Sequence, residues 1–120
     1  MTFTMKVIIM ITFIVSLFKD YYMRIVAKST LKVFWEKYPD SEKPLKIWYE
    51  KIRKGTWNNP NEIKLVFPDA DQVGNGRIVF NIARNKYRLI VKFIYETQIC
   101  YIRFIDTHKE YDKIKGIETI

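Results

Sequence analysis

Cysteine and histidine are almost absent from this sequence, which has one of each in 120 residues. A single thiol cannot form an internal disulfide, and with a single imidazole it cannot complete a Cys/His zinc site. The sequence therefore predicts no metal and no disulfide, and it suits a reducing compartment, the cytoplasm. Cys100 lies in a strand-like run, so we expect a small buried apolar residue rather than a nucleophile.

A run long enough to span a membrane is also missing. The uncharged run Val7–Phe18 has 12 residues, whereas a spanning helix needs about 20. Lys6 and this run fit a signal peptide, but no small-residue cleavage site follows. An ordinary globular composition begins at Met23. We therefore favour an upstream start, in which residues 1–22 are an apolar leader outside the domain and residues 23–120 form the domain. A membrane-tethering segment is the alternative.

Motifs of cofactor chemistry are missing as well. The sequence has no nucleophile elbow, phosphate-binding loop or metal-ligand spacing, so we expect no cofactor. What it has is 48% hydrophobic and 16% aromatic residues, with 21 Lys+Arg against 13 Asp+Glu and a net charge of +8. This composition excludes a disordered chain, and the length fits one domain rather than a multi-domain enzyme.

Apolar spacing predicts an α+β domain. Two amphipathic helices are predicted around Leu31–Tyr38 and Leu45–Ile52, ended by Pro39 and Gly55. Strands are predicted at Met23–Ala27, Glu62–Phe67, Arg77–Ala83, Tyr87–Tyr95 and Ile99–Ile105, with a loop at Asp69–Gly76. A short last helix, capped by Thr107, ends near Ile114. The order β-α-α-β-β-β-β-α, with consecutive hairpins, predicts an antiparallel sheet.

Positive charges recur on the strand segments and on their loops. Within Tyr87–Tyr95, alternation places Arg88 and Lys92 on the face opposite the aromatic residues. That face is either a basic surface for a polyanion or a solvated outer face whose charges prevent edge aggregation. The charge pattern alone leaves both interpretations open.

The segment Asp106–Asp112 gathers His108, Lys109 and Tyr111 with three carboxylates. His108 and Tyr111 are three residues apart and share one face of a helix start. An RNA phosphodiester can be cleaved by its own 2′-hydroxyl if the protein transfers protons and stabilises negative charge, which His, Arg and Lys can do. The alternative is that His108 decorates a terminal helix and that Tyr111 packs under the sheet.

Six segments of the sequence carry a resemblance to a known family, and the last of them is the most specific. They are Lys37–Pro39, Lys64–Pro68, Val79–Ile82, Tyr87–Ile90, Cys100–Arg103 and Thr107–Asp112. From Met23 onward the chain resembles the HigB-type toxins of the RelE-like superfamily of bacterial mRNA interferases. Residues 1–22 have no counterpart in that pattern. The resemblance implies a RelE-like fold, in which an antiparallel sheet carries an N-terminal helical hairpin and a short C-terminal helix.

The resemblance also implies a function and partners. The toxin would be a metal-independent, ribosome-dependent endoribonuclease that cuts translated mRNA and inhibits growth. A HigA-like antitoxin with a helix-turn-helix domain would neutralise it, and operator DNA would be bound only through the toxin–antitoxin complex. The alternatives are a non-catalytic RNA- or ribosome-binding module and a membrane-tethered small basic protein.

Residue roles follow from the same resemblance. Arg88 would clamp the scissile phosphate, and His108 would act in proton transfer. Lys109 would stabilise the transition state, and Tyr111 would orient the substrate or assist the proton transfer. The cationic residue that ends the last strand in the superfamily corresponds to either His108 or Lys109. The RNA backbone would be held by Lys64, Arg77, Arg84, Lys86 and Lys92.

Overall fold

The computed structural model describes residues 22–120, so the predicted leader lies outside the described residues except for Tyr22. Within these residues there are five strands and four α-helices. Their bounds are β1 Arg24–Val26, α1 Lys28–Lys37, α2 Glu42–Lys54, α3 Pro60–Val66, β2 Asp71–Gly74, β3 Arg77–Ile82, β4 Tyr87–Ile94, β5 Ile99–Thr107 and α4 His108–Tyr111. The prediction of an α+β domain is confirmed.

The sheet is mixed rather than purely antiparallel, which corrects the prediction. Its strand order is β1-β5-β4-β3-β2, and every pair is antiparallel except β1 with β5. Arg24 pairs with Ile99 and Val26 with Tyr101. This parallel pairing is possible because three helices and three strands separate β1 from β5 in the chain, far more than the crossover that parallel strands require.

The first two helices pack their aromatic stripes on one face of the sheet. Leu31, Phe34 and Trp35 of α1 are buried, as are Leu45, Trp48 and Ile52 of α2. The ring of Trp48 meets Phe80 of β3 at 5.4 Å, edge to face, a favoured geometry for aromatic pairs. This face of the sheet is therefore the core face.

The segment predicted as the strand Glu62–Phe67 is instead α3. The side-chain oxygen of Asn59 accepts a hydrogen bond from the backbone N–H of Glu62 at 3.1 Å, and Pro60 occupies the first turn. Both features favour a helix start. Ile63 and Leu65 alternate like strand residues, but Ile63 is buried whereas Leu65 is 84% exposed. The helix cap at Asn59 therefore determines the structure of this segment, despite its strand-like alternation of apolar residues.

The segment predicted as the loop Asp69–Gly76 contains β2, which pairs with β3 at the edge of the sheet. The turn between them has positive φ at Gly74, Asn75 and Gly76. A Cβ at Gly76 would lie 2.9 Å from the carbonyl oxygen of Phe93, so this position requires glycine. The number of strands is as predicted, but one of them arises from a different segment.

A bulge in β5 determines which side chains reach the second face of the sheet. Ile102 pairs with Val91 and Phe104 with Ile90, so Arg103 is the extra residue. A bulge shifts the alternation by one residue. Ile102 and Ile105 therefore pack on the core, while Phe104 joins Arg88 on the opposite face. In residues 22–120 no helix combines the length and apolar character that a membrane crossing requires.

Candidate active site

Arg88 lies at the start of β4, on the sheet face opposite α1 and α2. Only 9% of it is exposed. Its Nη2 donates a hydrogen bond to the side-chain oxygen of Asn85 at 2.7 Å, and its Nη1 donates to the carbonyl oxygens of Asn85 and Tyr87 at 3.3 and 3.4 Å. These contacts fix the guanidinium while leaving part of its planar donor set for a ligand.

The turn before Arg88 is anchored to the loop between α1 and α2. The carboxylate of Asp40 accepts hydrogen bonds from Lys86 at 2.8 Å and from the Tyr87 hydroxyl at 2.6 Å. The hydrogen bond from Lys86, and then that from Tyr87, holds the pKa of Asp40 below its usual value. Burial and the Asp40 contact raise the pKa of Tyr87 to about 12, so Tyr87 stays protonated as the donor.

The same turn positions α4 beside Arg88. The backbone N–H of His108 donates to the carbonyl oxygen of Lys86 at 2.9 Å. The Thr107 hydroxyl accepts from the N–H of Glu110 at 3.2 Å, which gives α4 its N-cap, as predicted. The first bond joins the start of α4 to the turn before β4, and the second fixes the start of the helix that carries His108 and Tyr111.

His108 pairs with the carboxylate of Asp112, the residue directly after α4. Its Nδ1 lies 2.9 Å from a carboxylate oxygen of Asp112. Because a carboxylate accepts, this contact selects the form with a proton on Nδ1. Nε2 is then the nitrogen that can exchange a proton with a substrate. The His108 side chain is 42% exposed, so a substrate can reach it.

Tyr111 is close to both Arg88 and His108. Its ring centroid is 5.7 Å from the Arg88 guanidinium carbon and 6.4 Å from the His108 ring, which meets it edge-on. Partial burial, with a contribution from the charge of Asp71, raises the pKa of the Tyr111 hydroxyl, and Arg88 opposes that shift. Tyr111 is therefore a neutral hydrogen-bond donor near pH 7.

The remaining predicted residues are spread more widely. Lys109 is exposed on α4, next to His108. Arg84 and Lys86 are exposed in the turn before Arg88, and Lys92 is partly exposed on β4. Lys64 is exposed on α3, away from β4 in the chain. The structure thus brings Arg88, His108 and Tyr111 together.

Arg77 differs from the other predicted RNA-binding cations because it is only 8% exposed. Its Nε and Nη2 donate to the main-chain oxygen of Ile120 at 3.1 and 2.6 Å, and its Nη1 donates to the carbonyl of Asn75 at 3.0 Å. In this conformation Arg77 therefore tethers the end of the chain to the β2–β3 turn.

Cys100 is fully buried on the core face, and burial raises the pKa of its thiol to about 12. The thiolate required of a nucleophile is therefore strongly disfavoured, as expected from the sequence. Among residues 22–120, no three His, Cys, Asp or Glu side chains are grouped to hold a metal ion.

A comparison with protein families identifies the chain's relatives. Residues 41–114 match the family model HigB_toxin, the RelE-like toxic component of a toxin-antitoxin system. The chain belongs to the HigB toxin family. The resemblance drawn from the sequence is confirmed, and a toxin of such a system implies an antitoxin partner.

Curated relatives agree with the family match. The mRNA interferase toxin HigB of Escherichia coli (strain K12) is 37% identical over 92 residues, which cover 75% of this chain and 88% of that protein. The mRNA interferase HigB of Shigella flexneri matches equally well. A second HigB, from Escherichia coli O6:H1, is 27% identical over 94 residues, or 77% and 91% of the two chains.

Sequence reasoning assigned no role to two residues of the candidate site. Asn85 was not among the predicted site residues, yet its side chain holds Arg88. Asp112 was counted among the carboxylates near His108 without a role. Its spacing of four residues from His108 was a usable signal, because residues i and i+4 face each other on a helix.

Proposed function

We propose that this HigB-family toxin is an mRNA interferase, a metal-independent endoribonuclease that cleaves mRNA during translation on the ribosome. The observation that carries the proposal is the cluster of Arg88, His108 and Tyr111 on the sheet face opposite the helices. A guanidinium, an imidazole and a neutral phenol are the groups that metal-free cleavage of a phosphodiester needs.

The chemistry is attack of the RNA 2′-oxygen on the adjacent phosphorus. The 2′-O–P bond forms, the P–O5′ bond breaks, and the products are a 2′,3′-cyclic phosphate and a 5′-hydroxyl. The proton that leaves the 2′-hydroxyl must be accepted, and the departing 5′-oxygen must receive one. His108 takes part in this transfer through Nε2, because Asp112 engages Nδ1.

Charge on the phosphorus oxygens increases as the reaction proceeds. Arg88 clamps the scissile phosphate, since Asn85 holds its guanidinium in place before the substrate arrives. Lys109, exposed beside His108, adds positive charge to the transition state. Tyr111, kept neutral by its raised pKa, orients the phosphate or assists the proton transfer.

The flanking RNA follows the exposed cations near Arg88. Arg84 and Lys86 lie in the turn before β4, and Lys92 lies further along that strand. Lys64 and Arg77 complete the proposed RNA-binding set, but Arg77 must first release Ile120. Cationic contacts to phosphates provide affinity without sequence preference.

The remaining expectations stand as parts of the same proposal. The domain is residues 23–120 with a RelE-like arrangement of helical hairpin, sheet and short last helix, and it acts in the cytoplasm. Its antitoxin is HigA-like, with a helix-turn-helix domain, and the toxin meets operator DNA only within that complex. Met23, which is 1% exposed, supports this domain start because it packs in the core.

The test is induced expression followed by mapping of RNA ends. We expect growth arrest and new 5′-hydroxyl ends at defined codon positions in translated messages. Translation inhibitors that empty the ribosome of mRNA should abolish these ends. Ribosome binding with intact messages would instead support the non-catalytic RNA-binding module, and recovery of the full-length chain in membranes would support the tethered protein.

A further inference from the structure

An open apolar groove lies between α2 and the end of β3. Its volume is about 470 Å³, and its walls include Pro44, Ile47, Trp48, Phe67 and Ile82. Ile47 is 47% exposed, although it is on the same helix as three fully buried apolar residues. A large aliphatic side chain left in an open groove marks a surface suited to a partner.

The groove is on the core side of the sheet and shares only Arg84 with the proposed RNA-binding residues. Ile82 pairs with Tyr87, and both side chains belong to the core face that the helices cover. Arg88 is the next residue after Tyr87, so it points to the opposite face. A partner seated in the groove therefore does not need to contact His108 or Tyr111.

The charges around the groove are positive. Lys43 and Arg84 are the charged residues among its lining, and Lys51 stands 5.7 Å over the ring of Phe67. The carboxylates nearby on α2 are already paired: Glu42 with Lys46 at 2.8 Å, and Glu50 with Arg53 at 3.1 Å. Among the described residues, Lys43 and Arg84 make no ion pair, so the surface offers apolar contact and two available cations together.

We propose that this groove binds an acidic amphipathic segment of the antitoxin. The proposal rests on the toxin–antitoxin function, because it identifies where that partner docks. Apolar residues on one side of such a segment fill the groove beside Ile47 and Trp48, and carboxylates on its rim pair with Lys43 and Arg84. An RNA occupant fits less well, because the walls are mainly aliphatic and aromatic with few cations.

Two variants test the groove in the full chain. Ile47→Asp places a charge in its apolar wall, and Lys43→Glu reverses a charge at its rim. Both residues are exposed, so the fold should be unaffected. Val33→Asp is the matched control, because Val33 is a 69% exposed aliphatic residue on α1. The probe is a purified HigA-like antitoxin with a helix-turn-helix domain.

Calorimetry should find at least 10-fold weaker antitoxin binding for both groove variants and unchanged binding for Val33→Asp. Growth arrest without antitoxin should persist, and co-expressed antitoxin should no longer relieve it. Unchanged antitoxin affinity of both groove variants would overturn the proposal. It would also be overturned if the only effect of the two variants were a loss of ribosome association or the dissociation of a toxin homodimer. Because affinity is measured without cleavage, failure of the wild-type chain to cut mRNA would contradict the proposed function alone.

Discussion

The Nδ1 atom of His108, the first residue of α4, lies 2.9 Å from a carboxylate oxygen of Asp112, the residue that caps the end of this helix. The contact joins two exposed side chains, so its value for stability is small. Its value for the proposed reaction is larger, because it determines which imidazole nitrogen faces the substrate.

Asp112→Asn should therefore slow cleavage without weakening RNA binding. An amide can present its N–H to Nδ1 and stabilise the wrong tautomer, so the single-turnover rate should fall by up to about 100-fold. Glu110→Gln is the control, because Glu110 is an exposed carboxylate on the same helix that bonds Lys113 instead. A full cleavage rate in Asp112→Asn would remove Asp112 from the mechanism.

Asn85→Ala should weaken the phosphate clamp. It removes the 2.7 Å bond to the Arg88 Nη2, so the guanidinium must be ordered when the substrate binds. We expect about a 10-fold loss in cleavage rate, as for a misplaced catalytic group, and little change in the melting temperature. The matched change Asn61→Ala, at an exposed amide on α3, should have no effect. Equal rates for the two variants would contradict this role.

Tyr87 and Tyr95 should respond in opposite directions when the hydroxyl is removed. The Tyr95 hydroxyl is buried without a hydrogen-bond partner in residues 22–120, so Tyr95→Phe should raise the free energy of unfolding by about 1 kcal/mol. The Tyr87 hydroxyl donates to Asp40, so Tyr87→Phe should lower it. Urea denaturation of both variants measures the difference, and a loss of stability in Tyr95→Phe would contradict the assignment.

Alkaline pH should destabilise the domain, because the fold favours the neutral forms of Tyr87, Tyr95 and Cys100. Burial raises the pKa of Tyr87 and Tyr95 from 10.0 to about 12, and that of Cys100 from 9.0 to about 12. The folded state thus favours the neutral forms, and this stabilisation is complete below pH 9 and is lost as the pH rises to about 12. Denaturation at pH 8 and pH 11 should show the loss, and Tyr95→Phe should reduce it. A flat profile would contradict these shifts.

Hydrophobic periodicity predicted the first two helices because their burial is one-sided. The helices around Trp35 and Trp48 each bury one regular stripe, whereas the strand around Leu89 is buried on both faces. Short elements depended on single contacts instead. The Asn59 cap made a helix of an alternating segment, and pairing with β3 made a strand of the predicted loop at Asp71–Gly74.

The candidate site was only partly predictable for a similar reason. Arg88, His108 and Tyr111 were found from residue chemistry and from the family resemblance. Their neighbours depend on tertiary geometry that has no local signature. Phe104 faces Tyr111 because of the bulge at Arg103. The Arg77 guanidinium is hydrogen-bonded to Ile120, which is 43 residues away in the sequence. Neither the bulge nor this long-range hydrogen bond can be predicted from the sequence pattern.

The double variant Arg88→Ala with His108→Ala is the sharpest test of the proposed active site. It removes the phosphate clamp and the proton-transfer group together, while Arg24→Ala, at an exposed arginine on β1, is the control. Growth after induction and mRNA cleavage are measured, and antitoxin binding confirms the fold. We expect normal growth, intact messages and retained antitoxin binding for the double variant, with full toxicity for the control. Undiminished growth arrest and cleavage by a folded double variant would contradict it.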